Sequence, residues 1–163
     1  MVVRTAGRHH RSLARRRPRP YHAAIVTKLY PSSERVRAFA EGYTAAWCSM
    51  DPTRVAARFA PGGSLTINDG PPAIGRPAIA EAARGFYEAL PDMQVYMDDL
   101  VVDGDRVEYH WTFTGTNTGP GGTGNAVRVS GFEEWTMDDG GLIASSLGHY
   151  DAAEYARQIQ QGV

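Results

Sequence analysis

Four successive segments with the two-residue periodicity of β-strands fill most of the second half of the chain, and their order limits the possible folds. In residues 107–114, bulky apolar side chains alternate with polar ones. Similar segments cover residues 93–102, 126–137 and 142–150, and Asp103-Gly104 is a strong hairpin turn. Strands that follow one another through turns pair in antiparallel fashion. The sequence therefore predicts a mostly antiparallel sheet.

Helical periodicity dominates the first half. Apolar residues recur every three or four positions between Val36 and Trp47, behind serines able to cap a helix. Asp51-Pro52 predicts a short second helix that carries Phe59 and ends at Pro61-Gly62-Gly63. The remaining predicted elements are a strand over 64–68, a third helix over 76–90 and a closing helix over 151–160. Helices first and strands last predict an α+β fold.

Composition is that of one ordinary globular domain. The chain has 163 residues, of which 42% are hydrophobic and 21% charged. The single cysteine, Cys48, cannot form an intramolecular disulfide, so we expect a reducing, cytoplasmic location. No apolar run approaches the roughly 18 residues of a membrane span, so we expect no membrane partner.

Charge divides the chain into two parts. Eight of the 17 basic residues precede the first acid, Glu34, which leaves nine against all 18 acids in the rest. Residues 1–30 have no apolar periodicity, and we predict a disordered basic tail followed by a domain over 31–163. Ala23–Val26 is too short for the core of a secretory signal. The acidic body argues against nucleic acid as the main partner.

Five glycines lie between Gly115 and Gly124. A phosphate-binding loop of the Walker type needs a Gly-Lys-Ser/Thr ending and a following helix, whereas this segment has no lysine and precedes a strand. A linker between domains is excluded because both flanks alternate as strands of one sheet. We predict a long hairpin loop, which is either a mobile lid or a wide turn.

Acidic and aromatic residues supply the candidate chemistry. Adjacent strand residues face opposite ways, so one of Glu133 and Glu134 points inward, where burial would raise its pKa. Tyr43 and Trp47 share a helix face and belong either to the core or to a cavity. Asp69 is either a general base at a pocket mouth or a turn former before glycine and proline. No His, Asp and Glu spacing indicates a metal site.

Four stretches together resemble the nuclear transport factor two-like superfamily. They are FAEGYTAAWCSMDPTRVAARFAPGG, IGRPAIAEAARGFYEALPDMQV, WTFTGTNTGPGGTG and LGHYDAAEYARQIQ, and the resemblance covers about residues 33–161. Within the superfamily the chain is most similar to SnoaL-like proteins, which include polyketide cyclases and have ketosteroid isomerases as relatives.

The resemblance implies a curved sheet wrapped around the N-terminal helices and forming a conical apolar cavity. Tyr43 and Glu133 fall where the isomerases have the tyrosine and the acid of their oxyanion hole. The aspartate that the cyclases carry on the last strand corresponds to Gly148. The isomerases' base corresponds to Ile67, Asn68 or Asp69, so neither catalytic set is complete. Dimerisation through the outer sheet face is expected by analogy.

These observations predict a protein that binds an apolar, oxygenated small molecule. Possible chemistry is isomerisation, cyclisation or dehydration next to a carbonyl, without a metal or cofactor, in which Tyr43 and Glu133 bind the oxygen and Asp69 moves the proton. The predicted pocket residues are Trp47, Asn68, Val107, Tyr109, Trp111, Trp135, Ser146, Gly148 and Tyr150. The alternative is a non-catalytic module that binds a ligand or a protein and whose conical cavity is filled by aromatic side chains. The orientation of Glu133 and the free volume beside Gly148 distinguish the two.

Overall fold

The computed structural model describes residues 32–163 of the chain. Its helices are α1 (Ser33–Cys48), α2 (Pro52–Ala56), α3 (Arg76–Ala89) and α4 (Ala152–Gln161). Its strands are β1 (Phe59–Ile67), β2 (Ala73–Ile74), β3 (Gln94–Asp103), β4 (Arg106–Thr116), β5 (Ala126–Met137) and β6 (Ile143–Tyr150). The predicted tail over residues 1–30 lies outside the described residues.

All six strands form one curved, unclosed sheet in the order β2-β1-β6-β5-β4-β3. Neighbouring strands are antiparallel except β1 and β6, which run parallel. The predicted α+β class and the mostly antiparallel sheet are confirmed. Within the described part of the chain, none of the helices combines the length and hydrophobicity that a membrane crossing requires.

The start of β1 was wrongly predicted. Phe59 was assigned to the second helix, but α2 ends at Ala56 and the strand already begins at Phe59. The Pro61-Gly62-Gly63 sequence therefore lies inside a strand, at a point where the pairing of β1 with β6 is irregular. Proline is tolerated at such bulges. Gly63 is required there, since a Cβ atom would lie 2.9 Å from the Ile143 carbonyl oxygen.

Helices α1, α3 and α4 pack on the sheet, and α2 packs on α1 and α3. Alternation in β4 is confirmed: Val107, Tyr109, Trp111 and Phe113 are all buried against the helical layer. From α1, the fully buried Tyr43 ring contacts the ring of Tyr109, with centroids 5.4 Å apart. This aromatic layer is where the candidate site lies.

The glycine-rich segment is a hairpin loop between β4 and β5, as predicted. Its buried Asn117 donates from Nδ2 to the Ala89 carbonyl at 3.0 Å and accepts from the Thr123 amide at 2.9 Å. Asn125 donates from Nδ2 to the Ile159 carbonyl at 3.0 Å. The loop is thus attached to the ends of α3 and α4, which favours a fixed wide turn over a mobile lid.

Candidate functional site

Glu133 is the inward-facing acid of the Glu133-Glu134 pair. It lies on β5 opposite Tyr109 of β4 and Gly148 of β6, and only 7% of its surface is exposed. Glu134 faces outward, where its Oε2 lies 2.8 Å from His149 Nε2. The register of β5 against its two neighbours therefore determines that Glu133, and not Glu134, faces inward.

Three side chains donate hydrogen bonds to the carboxyl group of Glu133. Its Oε2 accepts from Ser146 Oγ at 2.7 Å, from Trp135 Nε1 at 2.8 Å and from the Tyr43 hydroxyl at 3.0 Å. Its Oε1 has only the longer 3.2 Å contact with the same Tyr43 hydroxyl. Oε2 is fully used inside the protein, and Oε1 is the oxygen with capacity for a further partner.

Burial raises the pKa of Glu133 above its ordinary value of 4.5, although its hydrogen bonds from Ser146, Trp135 and Tyr43 act in the opposite direction. Burial also raises the pKa of Tyr43 well above 10.0, and the negative charge of Glu133 raises it further. Tyr43 is therefore a hydrogen-bond donor at any moderate pH. Because Oε2 already accepts three bonds, the proton of the neutral Glu133 carboxyl belongs on Oε1.

This burial makes the stability of the protein depend on pH. The folded state binds a proton at Glu133 that the unfolded state releases above pH 4.5. The contribution of Glu133 to the free energy of unfolding should therefore be fully present below pH 4.5 and fall as pH rises towards the raised pKa, by at most about 1.4 kcal/mol per pH unit. Urea denaturation between pH 4 and 8 should show this decline in the wild type relative to Glu133→Gln. Parallel curves for the two proteins would contradict it.

A small apolar pocket lies beside Glu133, with a volume of ≈ 50 Å³. Its lining consists of aromatic and aliphatic side chains, one glycine and one carboxyl: Trp47, Leu65, Ile67, Phe86, Met93, Val95, Tyr109, Trp111, Phe113, Glu133, Gly148 and Tyr150. Carboxyl chemistry in this pocket therefore rests on Glu133. Among residues 32–163, no group of three His, Cys, Asp or Glu side chains is arranged to hold a metal ion.

The structure divides the predicted pocket residues into two groups. Trp47, Tyr109, Trp111, Gly148 and Tyr150 line the pocket. The other inner-face residues are not part of the lining and are fully covered by their neighbours: Val107, Trp135 and Ser146.

Trp135 and Ser146 act through Glu133 instead of forming pocket walls. The Trp135 ring stacks on Tyr109, with centroids 4.8 Å apart, while its indole N–H and the Ser146 hydroxyl both bind Glu133. Tyr43 is also not part of the lining and contacts the carboxyl. These three residues hold Glu133 in place.

Asn68 and Asp69 are not pocket residues. Asn68 has a positive φ of 49° and joins the ends of β1 and β6: its amide donates to the Gly148 carbonyl at 2.7 Å, and its Oδ1 accepts from the Tyr150 amide at 3.0 Å. Asn68 and Asp69 form a turn after β1, which the Gly70 amide closes by donating to the Ile67 carbonyl at 3.0 Å. Asp69 is exposed and is not brought together with Glu133 and Tyr43.

The wall that α3 and β3 provide was not predicted from the sequence. Phe86 of α3 and Met93 and Val95 around the start of β3 line the pocket, as does Phe113 of β4. Phe113 lies on the same alternating face as Tyr109 and Trp111, and this signal could have identified it. The others required knowledge of how α3 packs.

Gly148 provides space directly beside the carboxyl. A Cβ atom at this position would lie 3.6 Å from the Thr66 carbonyl oxygen and 3.7 Å from Glu133 Cγ, both ordinary contacts. The backbone therefore does not demand glycine here, and its effect is to leave the pocket open next to Glu133.

Comparison with known proteins agrees with this architecture. A putative SnoaL-like polyketide cyclase from Jannaschia sp. CCS1 superposes with a TM-score of 0.72 at 18% identity, over 83% of this chain and 98% of that one. TsrD from Streptomyces laurentii gives a TM-score of 0.70 at 26% identity, over 79% and 97% of the two chains. No curated protein matches the chain.

A third structure links the fold to the isomerase relatives. A hypothetical protein with a ketosteroid isomerase-like fold from Catenulispora acidiphila DSM 44928 gives a TM-score of 0.66 at 19% identity, over 74% of this chain and 90% of that one. The family model of the SnoaL-like domain matches residues 37–146, which is most of the chain and includes most of α1, the hairpin loop and Glu133. The chain therefore belongs to the SnoaL-like domain family.

Proposed function

We propose that the protein binds an apolar molecule with a carbonyl or phenolic oxygen in this pocket and transfers a proton next to the carbonyl without a cofactor. The observation that carries the proposal is Glu133: a buried carboxyl in an otherwise apolar lining, with Oε2 bound by three protein donors and Oε1 left with one long contact. The SnoaL-like fold itself suggests a function of the polyketide cyclase or isomerase type.

Glu133 would act first as an acid. A neutral carboxyl in an apolar site can donate a hydrogen bond to a ligand oxygen, as the protonated acid in the oxyanion hole of ketosteroid isomerase does. Transfer of the Oε1 proton leaves a carboxylate that Ser146, Trp135 and Tyr43 stabilise. That carboxylate can take a proton back from carbon. One residue then performs both steps, which suits a site from which Asp69 is absent.

The second candidate function is non-catalytic binding. The pocket volume of ≈ 50 Å³ is room for only a few water molecules, each of which needs about 10–15 Å³ by the same measure. An aromatic ring would enter only if side chains of the wall moved. The position of the cyclases' aspartate is occupied by Gly148, which also favours a module that binds without reacting.

Ligand titration tests the proposal. The full chain would be titrated with planar phenols and enones while tryptophan fluorescence is recorded, for the wild type and Glu133→Gln, across pH. The proposal expects saturable quenching by the wild type that weakens in Glu133→Gln and as pH rises through the raised pKa of Glu133. Absence of quenching by any ligand would contradict it.

Substitution of Gly148 tests whether the pocket is the binding site. Gly148→Ala should fold normally, because the added methyl group has only ordinary contacts, yet it fills the space beside Glu133. We expect about tenfold weaker ligand binding, the scale of a methyl group placed in a packed site, with an unchanged melting temperature. Ser145→Ala, on the outward face of the same strand, is the matched control. Equal affinities for both variants would locate binding elsewhere.

The homodimer, the cytoplasmic location and the minor role of nucleic acid remain predictions. Exposed apolar side chains on the outer sheet face, Tyr96, Val101 and Leu147, support association through that face. Sedimentation of the wild type and of Tyr96→Ser would test it.

A further inference from the structure

Trp111 carries a buried hydrogen-bond donor that the protein does not use. Its side chain lines the pocket and is 8% exposed, and its indole Nε1 has no partner among the described residues. The indole of Trp135, in contrast, donates to Glu133. Buried tryptophan N–H groups usually find an acceptor, and an unsatisfied one calls for an explanation.

The indole of Trp111 is held in place by its surroundings. Its ring stacks on Phe113, with centroids 5.6 Å apart and planes 21° apart, and Tyr150 approaches it at 6.2 Å. Across the sheet it covers Gly131, where a Cβ atom would come within 2.7 Å of two ring carbons. These contacts restrict the ring, and because Trp111 lines the pocket, a ligand there can supply the acceptor that the described residues lack.

We propose that Trp111 Nε1–H donates a hydrogen bond to a second oxygen of the ligand, while Glu133 binds the first. The inference rests on the proposed function, because it assigns the substrate class of the same pocket. Trp111 lies opposite Gly131, two residues from Glu133 on β5. Such diagonal neighbours have Cα atoms roughly 7–8 Å apart on one sheet face. The ligand is therefore an apolar ring with acceptor oxygens at opposite ends, such as a 1,4-dicarbonyl compound.

A one-oxygen ligand would satisfy Glu133 and leave the Trp111 donor unpaired. A hydrogen bond to a buried and otherwise unsatisfied donor corresponds to about a tenfold gain in affinity. Cyclohexanone and cyclohexane-1,4-dione share a ring and differ in the second carbonyl, so their affinity ratio reports on that bond.

The test is a titration of the full chain with both ketones, followed by NMR of the indole N–H signals. We expect the wild type to bind the dione about tenfold more tightly than the monoketone, and Trp111→Phe to bind both with similar affinity. Trp47→Phe removes another lining indole and is the matched control: it should weaken both ligands and keep the preference. In the wild type, the Trp111 N–H proton, assigned through its contacts with Phe113, should move downfield with the dione only.

The outcomes separate this inference from the proposed function. If the wild type binds both ketones equally, or Trp111→Phe keeps the preference, the Trp111 donor role is wrong while ligand binding stands. If the wild type binds neither ketone nor any phenol or enone, both proposals fail. The NMR shift of the wild type decides the question even if Trp111→Phe does not fold, because an unmoved N–H signal in the presence of bound dione overturns the inference.

Discussion

Replacing Glu133 with alanine should lower the free energy of unfolding by about 3–5 kcal/mol, the range for disruption of a buried hydrogen-bond network. The substitution leaves the donors of Ser146, Trp135 and Tyr43 buried without an acceptor and opens a cavity among them. Urea denaturation at pH 5 measures the loss. Because burial raises the pKa of Glu133, an acidic pH keeps more of this carboxyl neutral than pH 7 does and reduces the contribution of its ionisation to the comparison.

Two controls distinguish the effect of losing the hydrogen-bond network from the effect of losing an acidic side chain as such. Glu133→Gln keeps a carbonyl oxygen that can accept the same three bonds, and we expect it to remain within about 1 kcal/mol of the wild type. Glu134→Ala removes the exposed neighbour, whose ion pair with His149 contributes at most about 1 kcal/mol. A small loss for Glu133→Ala, similar to that of Glu134→Ala, would mean that the network does not stabilise the fold.

Proton transfer should be lost in Glu133→Gln while the fold is kept. A positioned acid or base contributes about 10²- to 10⁴-fold to such a rate, and an amide cannot replace it. The assay is the isomerisation of cyclohex-3-en-1-one to the conjugated cyclohex-2-en-1-one, which is followed by ultraviolet absorbance. We expect the wild type to accelerate the reaction over buffer and Glu133→Gln to lose that acceleration.

The matched variant for this assay is Tyr43→Phe, which removes one hydrogen bond to Glu133 and retains the carboxyl. Its expected rate loss is about tenfold, the scale of one hydrogen bond to a charged group. An active Glu133→Gln would assign the chemistry to another residue. A wild type no faster than buffer, but able to bind phenols, would favour the non-catalytic module.

The strand β4 could be predicted because its side chains alternate between apolar and polar over residues 107–114. That pattern correctly placed Tyr109 and Trp111 on the inner face. The β1 strand could not be recognised over Pro61–Gly63, because glycine and proline usually interrupt strands. Here they occupy an irregular stretch whose only signal is the tertiary pairing with β6.

The types of residue in the site could be predicted from the sequence, but the orientations and contacts of their side chains could not. Sequence alone indicated that one of two adjacent acids points inward, and only the register against Gly148 identifies Glu133. Asp69 was a candidate base because of its position after a strand, and its exposure in a turn with a positive φ at Asn68 became visible only in the structure. The unpaired indole of Trp111 depends on the packing of several elements, which no local pattern encodes.

The parallel pairing of β1 with β6 has a consequence for how the chain folds. The hairpins β3–β4, β4–β5 and β5–β6 join neighbours in sequence, whereas Ile67 meets Gly148 only after most of the domain has been brought together. Pairings between distant segments carry the larger loop-closure entropy and form slowly. We therefore expect the three hairpins formed by β3 to β6 to assemble early and the pairing of β1 with β6 to form late. Since Ile67 and Gly148 both line the pocket, a kinetic intermediate would have most of its sheet before it could bind anything.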